Sequence, residues 1–198
     1  MSGSALGLLK GVGIIEGFTP REVYPVAQLP GCRAIWDDLF ESGRGVEVLD
    51  KVSVLSYAST KAQGFVRFAH VFLLLFSCFF LAHPRLPGSS RDLVILVVNE
   101  FVDDGTVYSL GKSVVDPKCP EVKGKVRAVM EVMGWYFEPL PDRVGTKVTY
   151  ITQIDLGGWV PGSVLKLVAS QIPLVVAGVR KYLRNHHAIG EFIISPCS

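Results

Sequence analysis

The side chains of this sequence that could do chemistry are few and scattered. Its four histidines fall in two places: His70 and His83 flank an apolar run in the middle, and His186 and His187 stand side by side near the end. Its four cysteines, Cys32, Cys78, Cys119 and Cys197, form no CxxC pair. Zinc sites and disulfide frameworks both need cysteines or histidines at recurring spacings, so neither is predicted, and no metal ligand is assigned. A catalytic centre needs a nucleophile or an acid–base pair in contact. The sequence carries no Ser-His-Asp order, no HExxH and no glycine-rich phosphate loop. No catalytic residue and no cofactor are therefore expected. The alternative enzyme reading would have to run on tyrosines or on carboxylates such as Glu138 acting on an apolar substrate.

Arg91 and Asp92 are adjacent, so on a strand they point to opposite faces and must pair with other elements, not with each other. Asp155, just before Gly157-Gly158, reads as a turn residue, and Trp36 as an aromatic that packs a short helix on the sheet.

The 198 residues suit one domain with a sizeable core. Apolar residues make up 49% and charged residues 19%, with mean hydropathy +0.37, so the chain encloses or docks something apolar. Twenty basic and 18 acidic residues, net +2, lie without long runs, and nucleic acid is excluded as a partner on that ground. Widely spaced cysteines and no leader-like start predict a cytoplasmic protein, peripheral to membranes if it meets them.

Punctuation by glycine and proline sets out the elements. Leu6 to Phe18 is β-rich. Thr19-Pro20 with Glu22 starts a helix that should break near Pro25 or Pro30, with a further helical turn over Cys32 to Phe40. Period-two alternation from Val46 to Thr60 predicts two paired strands around Asp50-Lys51. A continuous apolar strand, Asp92 to Phe101, turns at Asp103-Asp104-Gly105 into Thr106 to Val115. Strands over Lys125 to Met133, Trp135 to Pro139 and Lys147 to Asp155 complete an antiparallel curved sheet. The period then becomes helical, with Leu165, Val168, Ile172, Val176, Val179 and Leu183 on one face and a kink at Pro173. Residues 185–198 read as a tail.

Five segments, in order, resemble the START family, lipid-transfer domains related to the steroidogenic acute regulatory protein. They are Arg33-Ala34-Ile35-Trp36-Asp37, Ser90-Arg91-Asp92-Leu93-Val94, Lys112-Ser113-Val114, Val126-Arg127-Ala128 and Thr152-Gln153-Ile154-Asp155-Leu156-Gly157-Gly158-Trp159-Val160-Pro161. The resemblance covers about residues 11–183 of a single domain, 1–198. It implies an α+β helix-grip fold, a curved antiparallel sheet wrapped around a long C-terminal helix, with a lipid ligand between them. It also implies a polar pair inside the tunnel of steroid-type members, where this chain has Val97 and Ala58. The lipid class, sterol or phospholipid, is therefore left open.

Alternation places candidate lipid-binding side chains at Ile95, Val97, Tyr108, Met130, Tyr136, Thr149, Ile151 and Gln153 on the strands. Leu165, Val168, Ala169, Ile172 and Val176 are the candidates on the helix. Tyr136 and Gln153 are the expected polar contacts to a head group.

By the same resemblance residues 65–87 are an insertion. Its run Val71 to Leu81 is shorter than the roughly 20 residues of a membrane-spanning helix. Three readings fit it: a membrane-dipping hairpin using Phe72, Leu73, Leu74, Leu75, Phe76, Phe79 and Phe80; a cover for the domain's own apolar surface; or a mis-spliced product. With no family helix ahead of Leu6, the third alternative for the whole chain is a truncated module without a working cavity.

Overall fold

The computed structural model describes residues 5–61, 90–158, 160 and 162–187. In chain order the elements are β1 (Leu9–Glu16), α1 (Pro20–Gln28), α2 (Pro30–Trp36), β2 (Phe40–Val48), β3 (Ser53–Thr60), β4 (Arg91–Phe101), β5 (Val107–Ser113), β6 (Val126–Arg127), β7 (Val129–Pro139) and β8 (Gly145–Asp155). They are followed by α3 (Gly162–Gln171), a 3-10 turn (Ile172–Leu174) and α4 (Val175–His187). The strands form one curved open sheet in the order β1-β8-β7-β5-β4-β3-β2, antiparallel throughout, with the short β6 added parallel to β4. The expected α+β layout of sheet followed by gripping helix is the one adopted.

Local chemistry accounts for the boundaries. The Glu22 carboxylate accepts hydrogen bonds from the Thr19 amide and hydroxyl, both 2.7 Å, and fixes the start of α1. Pro25 does not break this helix. The chain leaves it at Leu29, whose extended backbone precedes Pro30. The helical turn expected over Cys32 to Phe40 is instead α2, which ends at Trp36, and Phe40 already begins β2. Gly105, at φ +87°, closes the β4–β5 hairpin, and the Asp104 carboxylate accepts from the Thr106 amide at 2.8 Å.

Two expected strands around Gly134 are one continuous β7. The glycine is needed there because a Cβ would stand 2.8 Å from Cγ1 of Ile151 on β8. The single expected terminal helix is divided by Pro173 into α3 and α4 with the 3-10 turn between.

The concave face of the sheet carries the main core. Ile15, Val107, Trp135, Phe137, Val148 and Tyr150 meet Val23 and Val26 of α1 and Val176, Val179 and Leu183 of α4. A second, smaller core of Leu55, Val94 and Cys119 lies on the convex face, under the loop that joins β5 to β6. β4 is thus covered on both sides, which is why its sequence is apolar without alternation.

Candidate functional site

The helices cover only part of the concave face. α1 and α4 lie over β1, β8, β7 and β5, α2 meets β2, and among the described elements α3 packs chiefly on the 3-10 turn that follows it. The consequence is plain on β3. Its outward Leu55 and Ser59 are 3% and 0% exposed, whereas its inward Val54, Ser56, Ala58 and Thr60 are all half-exposed. Outward Ser53 and Tyr57 are half-buried like the inward four, but two outward side chains are sealed and no inward one is, which marks a trough filled at one side and open at the other. Small residues line this part: Gly45 of β2 pairs with Ser56 of β3, while Gly43, opposite Ala58, leaves room for the buried Phe40 ring. The wall between the open and filled parts is the inward row of β4, Leu93, Ile95 and Val97, each under 10% exposed.

This strand phase decides where each expected lipid-facing residue stands. Ile95 and Val97 are on the inward row of β4, and Met130 and Val176 are buried in the main core. Ile172 packs against that core, while Leu165, Val168 and Ala169 are half-exposed on α3 and the turn follows them.

Tyr108, Tyr136, Thr149, Ile151 and Gln153 are not on the concave face. Tyr136 pairs with Tyr108 and Thr149, while its neighbours Trp135 and Phe137 point into the core. Because side chains alternate, all five belong to the convex face, and the expected phase was off by one residue. Tyr108 bonds through its hydroxyl to the Glu100 carboxylate. Gln153 lines a convex-face groove of about 410 Å³ with Lys112, Glu131, Val132 and Asp155. Glu138, the carboxylate of the enzyme reading, is ion-paired to Lys147 at 3.0 Å on that same convex side.

Phe72, Leu73, Leu74, Leu75, Phe76, Phe79 and Phe80, with the flanking His70 and His83, lie outside the described residues, as does the tail beyond His187. His186 is no tail residue: it sits in the last turn of α4, its ring stacked on Tyr182 at 3.9 Å.

The motif residues hold the frame. Asp92, 1% exposed on the convex side of β4, receives two hydrogen bonds from Arg127 of β6, at 2.9 and 3.0 Å. Arg127 also donates to the carbonyls of Cys119 and Pro120, so the pair ties the β5–β6 loop over the convex core. Asp92 holds the Arg127 proton more firmly, raising that guanidinium's pKa. Arg91 faces the other way, as its neighbour's phase requires. Its Nε donates to the Leu156 carbonyl at 3.4 Å, and burial lowers its pKa. Asp155 accepts from the Gly157 amide at 2.9 Å, the expected turn role. Trp36 packs against the main core: its Nε1 donates to the Val26 carbonyl at 2.8 Å, and its ring lies against Gly178 of α4.

Three polar atoms escaped the sequence reading. Gln28 Nε2, Asn99 Oδ1 and Ser109 Oγ are buried without a hydrogen-bond partner. Asn99 continues the inward row Ile95–Val97, and Ser109 is its direct register partner on β5. Their signal was available as a polar interruption of an inward apolar period.

Comparison with known proteins agrees with this geometry. The family model described as START domain matches residues 81–189. Mouse StAR-related lipid transfer protein 5 is 33% identical over 190 residues, covering 91% of this chain and 77% of the relative. The chain belongs to the START domain family. This START domain superimposes on human StAR-related lipid transfer protein 5 with TM-score 0.73 and 25% identity, over 91% of this chain and 76% of that one. Human STARD10 shares the fold at TM-score 0.73 and 18% identity, over 95% and 67% of the two chains. The sheet with its closing helix is thus the helix-grip fold.

Proposed function

We propose that this START domain encloses one lipid molecule in the open part of its trough and carries or senses it without chemical change. The observation that carries the reading is the burial of β3, where no inward side chain is sealed while outward Leu55 and Ser59 are. Small and apolar residues there suit a hydrocarbon guest. Each methylene withdrawn from water contributes about 0.8 kcal/mol, so a chain of ordinary lipid length gains roughly 10 kcal/mol in a dry, fitted site. That gain is what lets a protein compete with a bilayer. The inward residues of β3, β4 and β5 include one ionisable group, Arg91, and offer no acid–base pair for catalysis. The names of its relatives as lipid transfer proteins support the same reading. Cys32 and Cys119 are free thiols, in keeping with a cytoplasmic location.

The test is titration with N-phenyl-1-naphthylamine, an apolar fluorophore that brightens out of water. The wild-type chain should saturate at one dye per chain, and Ala58→Trp, which fills the open part, should abolish the signal while unfolding at an unchanged temperature. No brightening with the wild-type chain would refute the proposal.

A further inference from the structure

We infer that the outer edge of β1 binds a second copy of this chain, strand to strand across a two-fold axis, so that two sheets join into one. The inference is independent of the enclosure reading and concerns the edge of the sheet opposite to the open part of the trough.

β1 ends the sheet, with β8 as its one strand neighbour among the described residues. The phase of that ladder is fixed where the Gly17 amide donates to the Val144 carbonyl at 2.9 Å. Opposite residues in an antiparallel ladder alternate between hydrogen-bonded and non-bonded pairs. Gly17, Ile15, Gly13, Gly11 and Leu9 therefore bond to β8, and the amides and carbonyls of Glu16, Ile14, Val12 and Lys10 turn away from the sheet. The side chains of the same four residues lie on the convex face, because Ile15 between them is in the core. All four are exposed, Val12 to 53% and Ile14 to 43%.

An open strand edge invites pairing, and sheets ordinarily blunt it with bulges, charges, proline or brevity. The other edge is blunted in this way. β2 has register shifts between Phe40 and Ser42 and between Gly45 and Glu47, and it carries Glu41, Arg44 and Glu47. β1 is not. Its eight residues keep an unbroken register, contain no proline and place two apolar side chains in the middle of the outward row.

That row reads Lys10, Val12, Ile14, Glu16, with a basic end, an apolar middle and an acidic end. It is complementary to itself. An antiparallel copy centred on Gly13 sets Lys10 against Glu16 of the partner subunit and Val12 against the partner's Ile14, and the two-fold repeats both contacts in reverse. All four cross-pairs are of the hydrogen-bonded kind, which gives about eight new backbone bonds. The axis passes Gly13, which has no side chain to meet its own copy. Sliding the copy to centre on Val12 would set Lys10 against the partner's Ile14 and Glu16 against the partner's Leu8, so charge selects the first register. Glu16 also holds Arg143 at 3.0 Å through one oxygen, with both side chains 58% exposed, and its second oxygen serves the lysine. Since the open part of the trough lies at β2 and β3, the pairing leaves both lipid sites accessible, one at each end of the joined sheet.

The test is sedimentation equilibrium of the full chain over a dilution series. The wild-type chain should approach twice the monomer mass at the concentrated end. Lys10→Glu and Glu16→Lys each bring like charges together twice and should weaken the dimer about tenfold, and the double variant, which exchanges the charges, should restore it. Val12→Pro removes an amide that points away from β8, so it should abolish the dimer while one dye still binds per chain. The charge variants, on exposed side chains, decide alone if the proline variant fails to fold. A chain at monomer mass throughout, a dimer indifferent to Val12→Pro, or a double variant as weak as the single ones would overturn the inference.

Discussion

Gly13 of β1 lies so close to Val176 of α4 that a Cβ on the glycine would stand 2.8 Å from the valine's Cγ1. Two residues earlier, a Cβ on Gly11 would meet the carbonyl oxygen of Pro173 at 2.9 Å. The glycines let the terminal helices seat on the edge of the sheet, and this seating keeps the rest of the trough uncovered. Gly13→Ala should destabilise by about 1 kcal/mol, because a methyl group can swing aside, and Gly11→Ala by up to about 3 kcal/mol, because backbone cannot. Urea unfolding of the two variants gives the order.

The Asp92–Arg127 pair should be worth more intact than its parts. Arg127→Met strands a carboxylate that is 1% exposed and should cost about 3 kcal/mol. The double variant with Asp92→Leu should recover most of that loss, a result readable from the denaturant midpoints of the two single variants and the double.

Glu41 gives a pH dependence with a defined sign. The Lys125 ammonium beside it, and then the Ser59 hydroxyl, hold its carboxyl below the ordinary glutamate value. A lowered folded-state pKa means stabilisation that is present above the ordinary value and lost as pH falls through the lowered one. The effect is small because the carboxylate is exposed. Carbon-detected NMR titration should place the Glu41 midpoint below that of a free glutamate, and Lys125→Met should return it upwards.

Strand phase is testable by paired substitutions on β8. Thr149→Lys, on the convex face, should change stability by no more than about 0.5 kcal/mol and leave dye uptake intact. Thr152→Lys, one face over and 1% exposed, should prevent folding or lower the midpoint severely. Thermal unfolding of the pair separates the two faces.

Phase was also where the sequence was hardest to read. The sheet, its turns and the terminal helices were legible from glycine, proline and periodicity, and Asp155, Arg91 and Asp92 took the roles their positions imply. On β7 and β8 alternation was hidden. Trp135, Tyr136 and Phe137 are three consecutive aromatics, and the register shift between Met130 and Val132 changes which residues share a face. Ile151 on the convex side then looked like core. Residues 40–45 were not seen as strand because glycine and charge dominate them, although Gly43 is there to accommodate the Phe40 ring, 2.8 Å from where a Cβ would be. Asn99 and Ser109 were missed for a different reason: each interrupts an apolar period singly, and only strand pairing shows that they stand opposite each other.

The most direct test of enclosure is native mass spectrometry of the full chain after exposure to vesicles of a total lipid extract, followed by their removal. The account predicts a complex of one chain with one lipid, present in the wild-type protein and absent in Ala58→Trp. A spectrum showing the bare chain alone, or lipid held equally by the filled variant, would contradict it.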